Sequence, residues 1–298
     1  MFKQSFILFL ASLFFFSCQS QPEIKSNSKR NILISSNIET LLNEKQWNEL
    51  FPNRYNISKY EDDESREGIK KFDFYTYRSF VEATKKFPMF LHEGDSIQQK
   101  RELCAFLANI SLETSGGWDE AEGGYYKWGL YFMEENGCKK GCPAYSDVNN
   151  KNYPPIKGRS YHGRGPMQIS WNYNYGQLSE VLFGTKDSLL QRPEMLTSNA
   201  TISFASAMWF WMTAQMPKPS CHDAMTGKWI PNAKDSIANR LPGFGATVNI
   251  INGGIECGIA KKYDKTKYRY GYYLYFCKYF NVSPGDNIEC TTQKPFGK

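Results

Sequence analysis

Three stretches of this chain set carboxylates, amides and hydroxyls among aromatic residues. In SLETSGGWDE, residues 111–120, Glu113 continues the apolar stripe Leu103, Phe106, Leu107 and Ile110, three residues past Ile110 and seven past Phe106. That spacing marks one face of a helix turned to a core, so the carboxylate reads as buried. Burial disfavours ionisation, and a place near a helix C-terminus lies at the negative end of the dipole. An acid that keeps its proton near neutral pH can serve as a general acid. Two plainer readings stay open: the helix ends a residue earlier and leaves Glu113 exposed, or a basic residue pairs with it.

Hydrolysis of a glycosidic bond needs a second carboxylate, as base or as nucleophile. WGLYFMEENG, residues 128–137, offers Glu134 and Glu135 in a loop rich in glycine and aromatic residues. Aromatic faces stack on the C–H surfaces of sugars while polar groups bond the hydroxyls. The plainer reading is an exposed acidic pair. The third stretch is YHGRGPMQISWNYNYG, residues 161–176. Gly163 and Gly165 permit unusual backbone angles, and Gln168, Ser170, Asn172 and Asn174 alternate with bulky residues. Alternation predicts an extended wall with its polar groups on one face. Such a row suits carbohydrate, and it equally suits buried backbone groups that need partners.

Other chemistries find little support. There are three histidines and no HExxH, no GxSxG and no GxxxxGK[ST]; GFG at Gly243 lacks the third glycine of a dinucleotide fingerprint. Net charge is +6, scattered along the chain without a long basic run, so nucleic acid is not indicated. The pair in CKKGC has no matching second pair at zinc-site spacing, so no metal is expected.

The elements that must position these residues are helices. NIETLLNEKQWNELFP reads as one amphipathic helix ending before Pro52, and FYTYRSFVEATKKFP as a second. The helix carrying Glu113 has Gly116–Gly117 as its stop signal. Residues 53–71 read as a polar loop, and 119–166 as a long irregular segment of the kind that is usually functional when the domain is compact. NYNYGQLSEVLFG and SNATISFASAMWFWMTAQ are helical, and in the latter Trp209, Phe210 and Trp211 are expected to pack a core. INGG and YRYGYYLYFCKYF mark two more helices. Strand signals are few, and no repeat is visible.

Residues 1–17 have Lys3 before an apolar run too short to span a bilayer, which reads as a secretory signal. FFSC resembles a bacterial lipobox, so Cys18 is expected to become a lipidated first residue, with residues 18–35 a flexible tether and 36–298 the folded domain. Plain cleavage and secretion is the alternative. Seven cysteines follow, an odd number that leaves at least one unpaired; Cys104, on the apolar stripe, reads as a free core thiol.

Taken together the motifs resemble the family 19 chitinases. SLETSGGWDEAEGGYYKWGLYFMEENG is similar to that family's SHETTGGW…WGYCF…E region, and YHGRGPMQISWNYNYG to its YYGRGPIQLSHNYNYG. WFWMTAQMPKPSCH, LPGFGATVNIINGGIECG and CTTQKPF match as well, in the family's order, from about Ser36 to Lys298. The resemblance implies a mainly α, lysozyme-like bilobal helical domain with long irregular loops and a cleft. It implies inverting endo-hydrolysis of β-1,4-linked N-acetylglucosamine in chitin, without cofactor or metal, by a monomer.

Carried onto matching positions, Glu113 is the general acid, Glu135 the general base, and Ser170 helps hold the water. Glu135 is preferred to Glu134 because it aligns when WG and the following glycine are matched. Gln168, Tyr173, Asn174, Asn252 and Lys218 line the sugar cleft, and Glu256 and Arg269 form a polar network around the acid. Inversion leaves room for water between the carboxylates, roughly 6.5–9.5 Å. By resemblance Cys257 pairs with Cys290 and Cys138 with Cys142. This chain departs from the family at Leu112, where relatives have His, and at Tyr131, where they have Cys; the partner of that Cys is absent too, which implies a missing disulfide. Residues 139–160 match poorly. The alternatives are a hydrolase of peptidoglycan glycan strands and an inactive sugar-binding protein; retention of both Glu113 and Glu135 argues against the latter.

Overall fold

Asn43 splits the first apolar segment. Its side chain accepts from the Gln46 N–H while the Gln46 side chain accepts from the Asn43 N–H, a capping box that starts a new helix. The expected single helix is therefore two, α1 (Ile38–Leu41) and α2 (Glu44–Leu50). The structure is a computed structural model that describes residues 37–55, 72–115, 121–138, 140–258 and 264–297. The expected leader, Cys18, the tether, most of the 53–71 loop and the Gly116–Gly117 stop lie outside the described residues.

The chain continues through α3 (Tyr77–Thr84), α4 (Ser96–Ser115), α5 (Asn172–Phe183), α6 (Asp187–Gln191), α7 (Met195–Ser198) and α8 (Ala200–Met212). It ends with α9 (Cys221–Thr226), α10 (Ala233–Ile237), α11 (Phe244–Glu256) and α12 (Asp264–Tyr279). Among the described residues β pairing is confined to isolated bridges. The mainly helical expectation holds, and α6, α7, α9 and α10 add short helices that apolar periodicity did not mark.

The centre of the fold is α4. From Glu102 to Leu112 every side chain on it is buried, polar ones included. It is not a surface helix with one apolar stripe, because α12 lies along it and α9 and α11 close over it. The buried hydroxyls are satisfied within the helix: Ser111, Thr114 and Ser115 donate to the carbonyls of Leu107, Ile110 and Ser111. Around α4 the aromatics interlock. Trp47 stacks on Phe80 at 4.9 Å and Phe106 meets Trp211 edge-on at 5.5 Å, contacts worth about 0.5–1.5 kcal/mol each beyond area burial. Cys104 is a buried free thiol, as expected, and so are Cys221 and Cys277.

The GFG motif has a structural explanation. Gly243 opens α11 with φ 136°, and a Cβ there would lie 2.6 Å from the Asp286 carbonyl oxygen; at Gly245 it would lie 2.2 Å from that of Glu289. Both glycines let the C-terminal segment lie against α11.

A buried charged network fastens α9 to α4. His222 lies between two carboxylates, its Nδ1 2.6 Å from Glu102 and its Nε2 2.9 Å from Glu93. Trp211 donates to Glu102, and Lys228 pairs with the far oxygen of Glu93. Burial alone would lower the proton affinity of His222, but hydrogen bonds and charge from Glu102 and Glu93 outweigh it and raise the pKa above the ordinary value. For a group whose folded pKa is raised, the stabilisation is complete below the unfolded pKa, about 6.5, and is lost as pH climbs through the folded value. Urea midpoints are therefore expected to fall as pH rises above about 6.5, and His222→Gln should flatten that dependence. An equal slope in the variant would show that the imidazole is not its source.

Candidate active site

The last turn of α4 carries Glu113, and the loop after it is laced back onto that turn. The Leu130 N–H donates to Thr114 Oγ1 at 2.7 Å and the Phe132 N–H to the Thr114 carbonyl at 2.8 Å. The same loop is laced on its other side to residues 163–165: Glu135 N–H to the Gly163 carbonyl and Gly165 N–H to the Met133 carbonyl, both 2.8 Å. Glu135 is thus carried on a strap between the end of α4 and the 161–176 segment. Both Glu113 and Glu135 line a cavity of about 550 Å³ and a smaller neighbouring one.

Glu113 is half-buried and has a basic partner, the alternative that sequence left open. Arg269 on α12 is fully buried, and its Nη2 lies 2.6 Å from both Glu113 Oε1 and Glu256 Oε1. Nε adds a 3.0 Å bond to Glu256 Oε2, and Nη1 donates to Asn109 Oδ1 at 2.9 Å. Burial would lower the pKa of Arg269, but the two carboxylates more than offset it and drive the pKa up. The guanidinium therefore forks onto Glu256 and touches Glu113 with one nitrogen. Asn252, at a kink inside α11 with φ −140°, donates to Glu256 Oε1 at 2.9 Å and also faces both cavities. Leu112, buried beside Glu113, lines the smaller cavity.

The adjacent carboxylates have different surroundings. Glu135 accepts from the Tyr145 hydroxyl at 2.8 Å and from the Gly163 N–H at 3.3 Å, and it lines both cavities. Glu134 is held by buried His162 at 3.0 Å and Arg164 at 3.4 Å. Its pKa lies below the usual carboxylate value, because the His162 hydrogen bond and the Arg164 charge outweigh the opposing effect of burial. Glu134 also lines the smaller cavity but is engaged in an internal network, whereas Glu135 alone of the two reaches the larger cavity.

The 161–176 segment is not the regular extended wall that alternation predicted. Gly165 does adopt positive φ, 75°, but Gly163 serves close approach: a Cβ there would lie 2.8 Å from Gln168 Oε1. Gln168 at φ 47° and Trp171 at φ 74° also occupy the left-handed region, which costs a bulky residue on the order of 1–3 kcal/mol. These kinks turn the chain into α5, and Gln168, Ser170, Tyr173 and Asn174 all still face the larger cavity. Asn172 does not. It is buried, donates to the Asp147 and Tyr153 carbonyls and accepts from the Asp147 N–H, the backbone-satisfying role sequence left open. Across the cavity Lys218, its pKa lowered by burial, donates to the Ile250 carbonyl at 2.7 Å.

Sequence reasoning missed several lining residues. Phe210 was assigned to the core with Trp209 and Trp211; those two are buried, but Phe210 lines the cavity. Trp171, Tyr145 and Gln215 line it too. Asn174 Oδ1 and Gln215 Nε2 are buried there without a hydrogen-bond partner. Cys138 is bonded to Cys142 and Cys257 to Cys290, as the resemblance implied.

A mainly helical chain whose cleft sets carboxylates among amides and aromatic rings has the make-up of a glycan hydrolase. The family model described as Chitinase class I matches residues 53–290. The chain is 45% identical to Endochitinase A2 of Pisum sativum over 242 residues, 81% of this chain and 71% of that one. It is 48% identical to Endochitinase 3 of Nicotiana tabacum over 223 residues, 75% of this chain and 64%, just under two thirds, of that one. A solved structure of a bacterial family 19 chitinase superposes with a TM-score of 0.62 at 28% identity, covering 84% of this chain and all of that one. The chain belongs to the class I chitinase family and is a glycoside hydrolase.

Proposed function

We propose that this protein cleaves β-1,4 linkages within chitin and chito-oligosaccharides with inversion, Glu113 acting as general acid and Glu135 as general base. The observation that carries this reading is that the two carboxylates open on one cleft, Glu113 backed by Arg269 and Glu135 held by neutral donors. Glu113 protonates the leaving oxygen. The carboxylate it becomes lies against the Arg269 guanidinium already beside it. Glu135 takes a proton from the attacking water, which Ser170 helps to hold. Gln168, Tyr173, Asn174, Lys218 and Asn252, which line the larger cavity, bind the sugar chain.

Chitin oligomers and purified peptidoglycan assayed side by side test the reading, with the first anomer observed by NMR. Chitin oligomers should be cut internally to give the α-anomer first. A first β-anomer would remove the inverting mechanism, and cleavage of peptidoglycan alone would reassign the substrate.

Residues 1–18, read from sequence as a secretory signal ending in a lipobox-like FFSC, support an exported form anchored through lipid on Cys18. Mass spectrometry of membrane extracts should find diacylglycerol on that residue; a soluble secreted product would remove the anchor.

A further inference from the structure

A tyrosine of the 139–160 segment reaches the carboxylate assigned as base. The 3-10 turn Pro143–Tyr145 delivers the Tyr145 hydroxyl to Glu135 Oε1 at 2.8 Å. Two features hold the turn in place. The Cys138–Cys142 bridge closes the chain immediately before it, and Cys142 is tied through its N–H and carbonyl to Ser160 Oγ at 2.8 and 3.0 Å. On the other side the Trp171 indole meets the Tyr145 ring edge-on, centroids 5.7 Å apart at 79°. Trp171 is itself fixed in its left-handed conformation by an N–H bond to the Tyr161 carbonyl at 2.8 Å. Burial first, and then the bond to and charge of Glu135, raise the Tyr145 pKa, so the phenol remains a donor across the neutral range.

We infer that Tyr145 is a positioning residue for Glu135, and that the Cys138–Cys142 bridge acts on catalysis through it. One carboxylate oxygen is held by the Tyr145 hydroxyl and the other by the Gly163 N–H. Between them they fix the rotation of the carboxylate, which decides whether a lone pair meets the water in line. Proton transfer depends steeply on such alignment. The inference rests on the reading of Glu135 as general base.

Its test compares Tyr145→Phe, Cys138→Ser with Cys142→Ser, and all three changes together, in kcat and KM on chitin oligomers and in melting temperature. Tyr145→Phe should lower kcat about tenfold with KM within about twofold, as expected for a lost hydrogen bond to a charged group. Opening the bridge should lower kcat comparably when Tyr145 is present and add little when Phe replaces it, the non-additivity of groups acting as a unit. Melting temperatures should not track the loss. Unchanged kcat, a rise in KM alone, or multiplying effects would overturn the inference; a rise in KM alone would make Tyr145 a sugar contact instead. Glu135→Gln separates the two levels. If it turns over normally, the base reading falls and the inference with it. If it is inactive while Tyr145→Phe is unimpaired, the base reading stands and only the inference falls.

Discussion

Glu113→Gln is expected to abolish hydrolysis of chitin oligomers while leaving them bound. A positioned acid contributes about 10²–10⁴ in rate, so a fall in kcat of about a thousandfold is the expected size. The amide keeps the shape of the carboxyl and can still accept from Arg269. The guanidinium also retains its two-point grip on Glu256, so the fold around it should hold. The measurement is turnover by product analysis beside oligomer affinity by calorimetry. Unchanged turnover would remove the acid assignment; lost affinity with residual turnover would make Glu113 a binding residue.

The second large effect belongs to Glu135, and its neighbour supplies the control. Glu135→Gln should lower kcat by a similar factor, because an amide cannot accept the proton of the attacking water. Glu134→Gln should spare kcat and instead weaken the internal network with His162 and Arg164. Because the folded pKa of Glu134 is depressed, its stabilisation is present above the unfolded carboxyl value and is lost as pH falls through the folded one. The Glu134→Gln protein should accordingly lose less stability on acidification than the parent. If Glu134→Gln were the variant that stopped turnover, the alignment that chose Glu135 would be displaced by one residue.

These two carboxylates also show what could be read before any coordinates. Glu113 stood out because helical periodicity put a charge on an apolar face. Periodicity could not supply its partner, because Arg269 lies 156 residues further along and only the packing of α12 on α4 brings it near. Gln168, Ser170 and Asn174 were legible as polar groups among bulky ones, but alternation is a strand rule, and it failed at Trp171, where a bulky residue takes a backbone conformation its type does not signal. Phe210 was misplaced for a related reason. Residues 204–211 of α8 are so apolar that no periodicity distinguishes the face toward the cleft from the face toward the core. The short helices left weaker marks that were present nonetheless. Asn43 with Gln46 and Asn232 with Asp235 have the spacing of capping boxes, the local rule that divides apolar runs into separate helices. Tyr145 left no mark, because its role is set by a loop whose path depends on the bridge and on Trp171.

The placement of Trp171 has an optical consequence. Trp47, Trp209 and Trp211 are sealed in the core, where a glycan cannot alter their surroundings. Trp171 instead faces the cleft, with the Tyr173 ring stacked beside it at 5.9 Å. Indole emission responds to the polarity and quenching groups around it, so a sugar chain entering the cleft should change the emission of Trp171, isolated from that of Trp118, Trp128 and Trp229 by comparison with Trp171→Phe. The chain thus carries its own reporter of occupancy, and titrating the Glu113→Gln protein with oligomers of increasing length would let the intrinsic emission count how many sugar units the cleft engages.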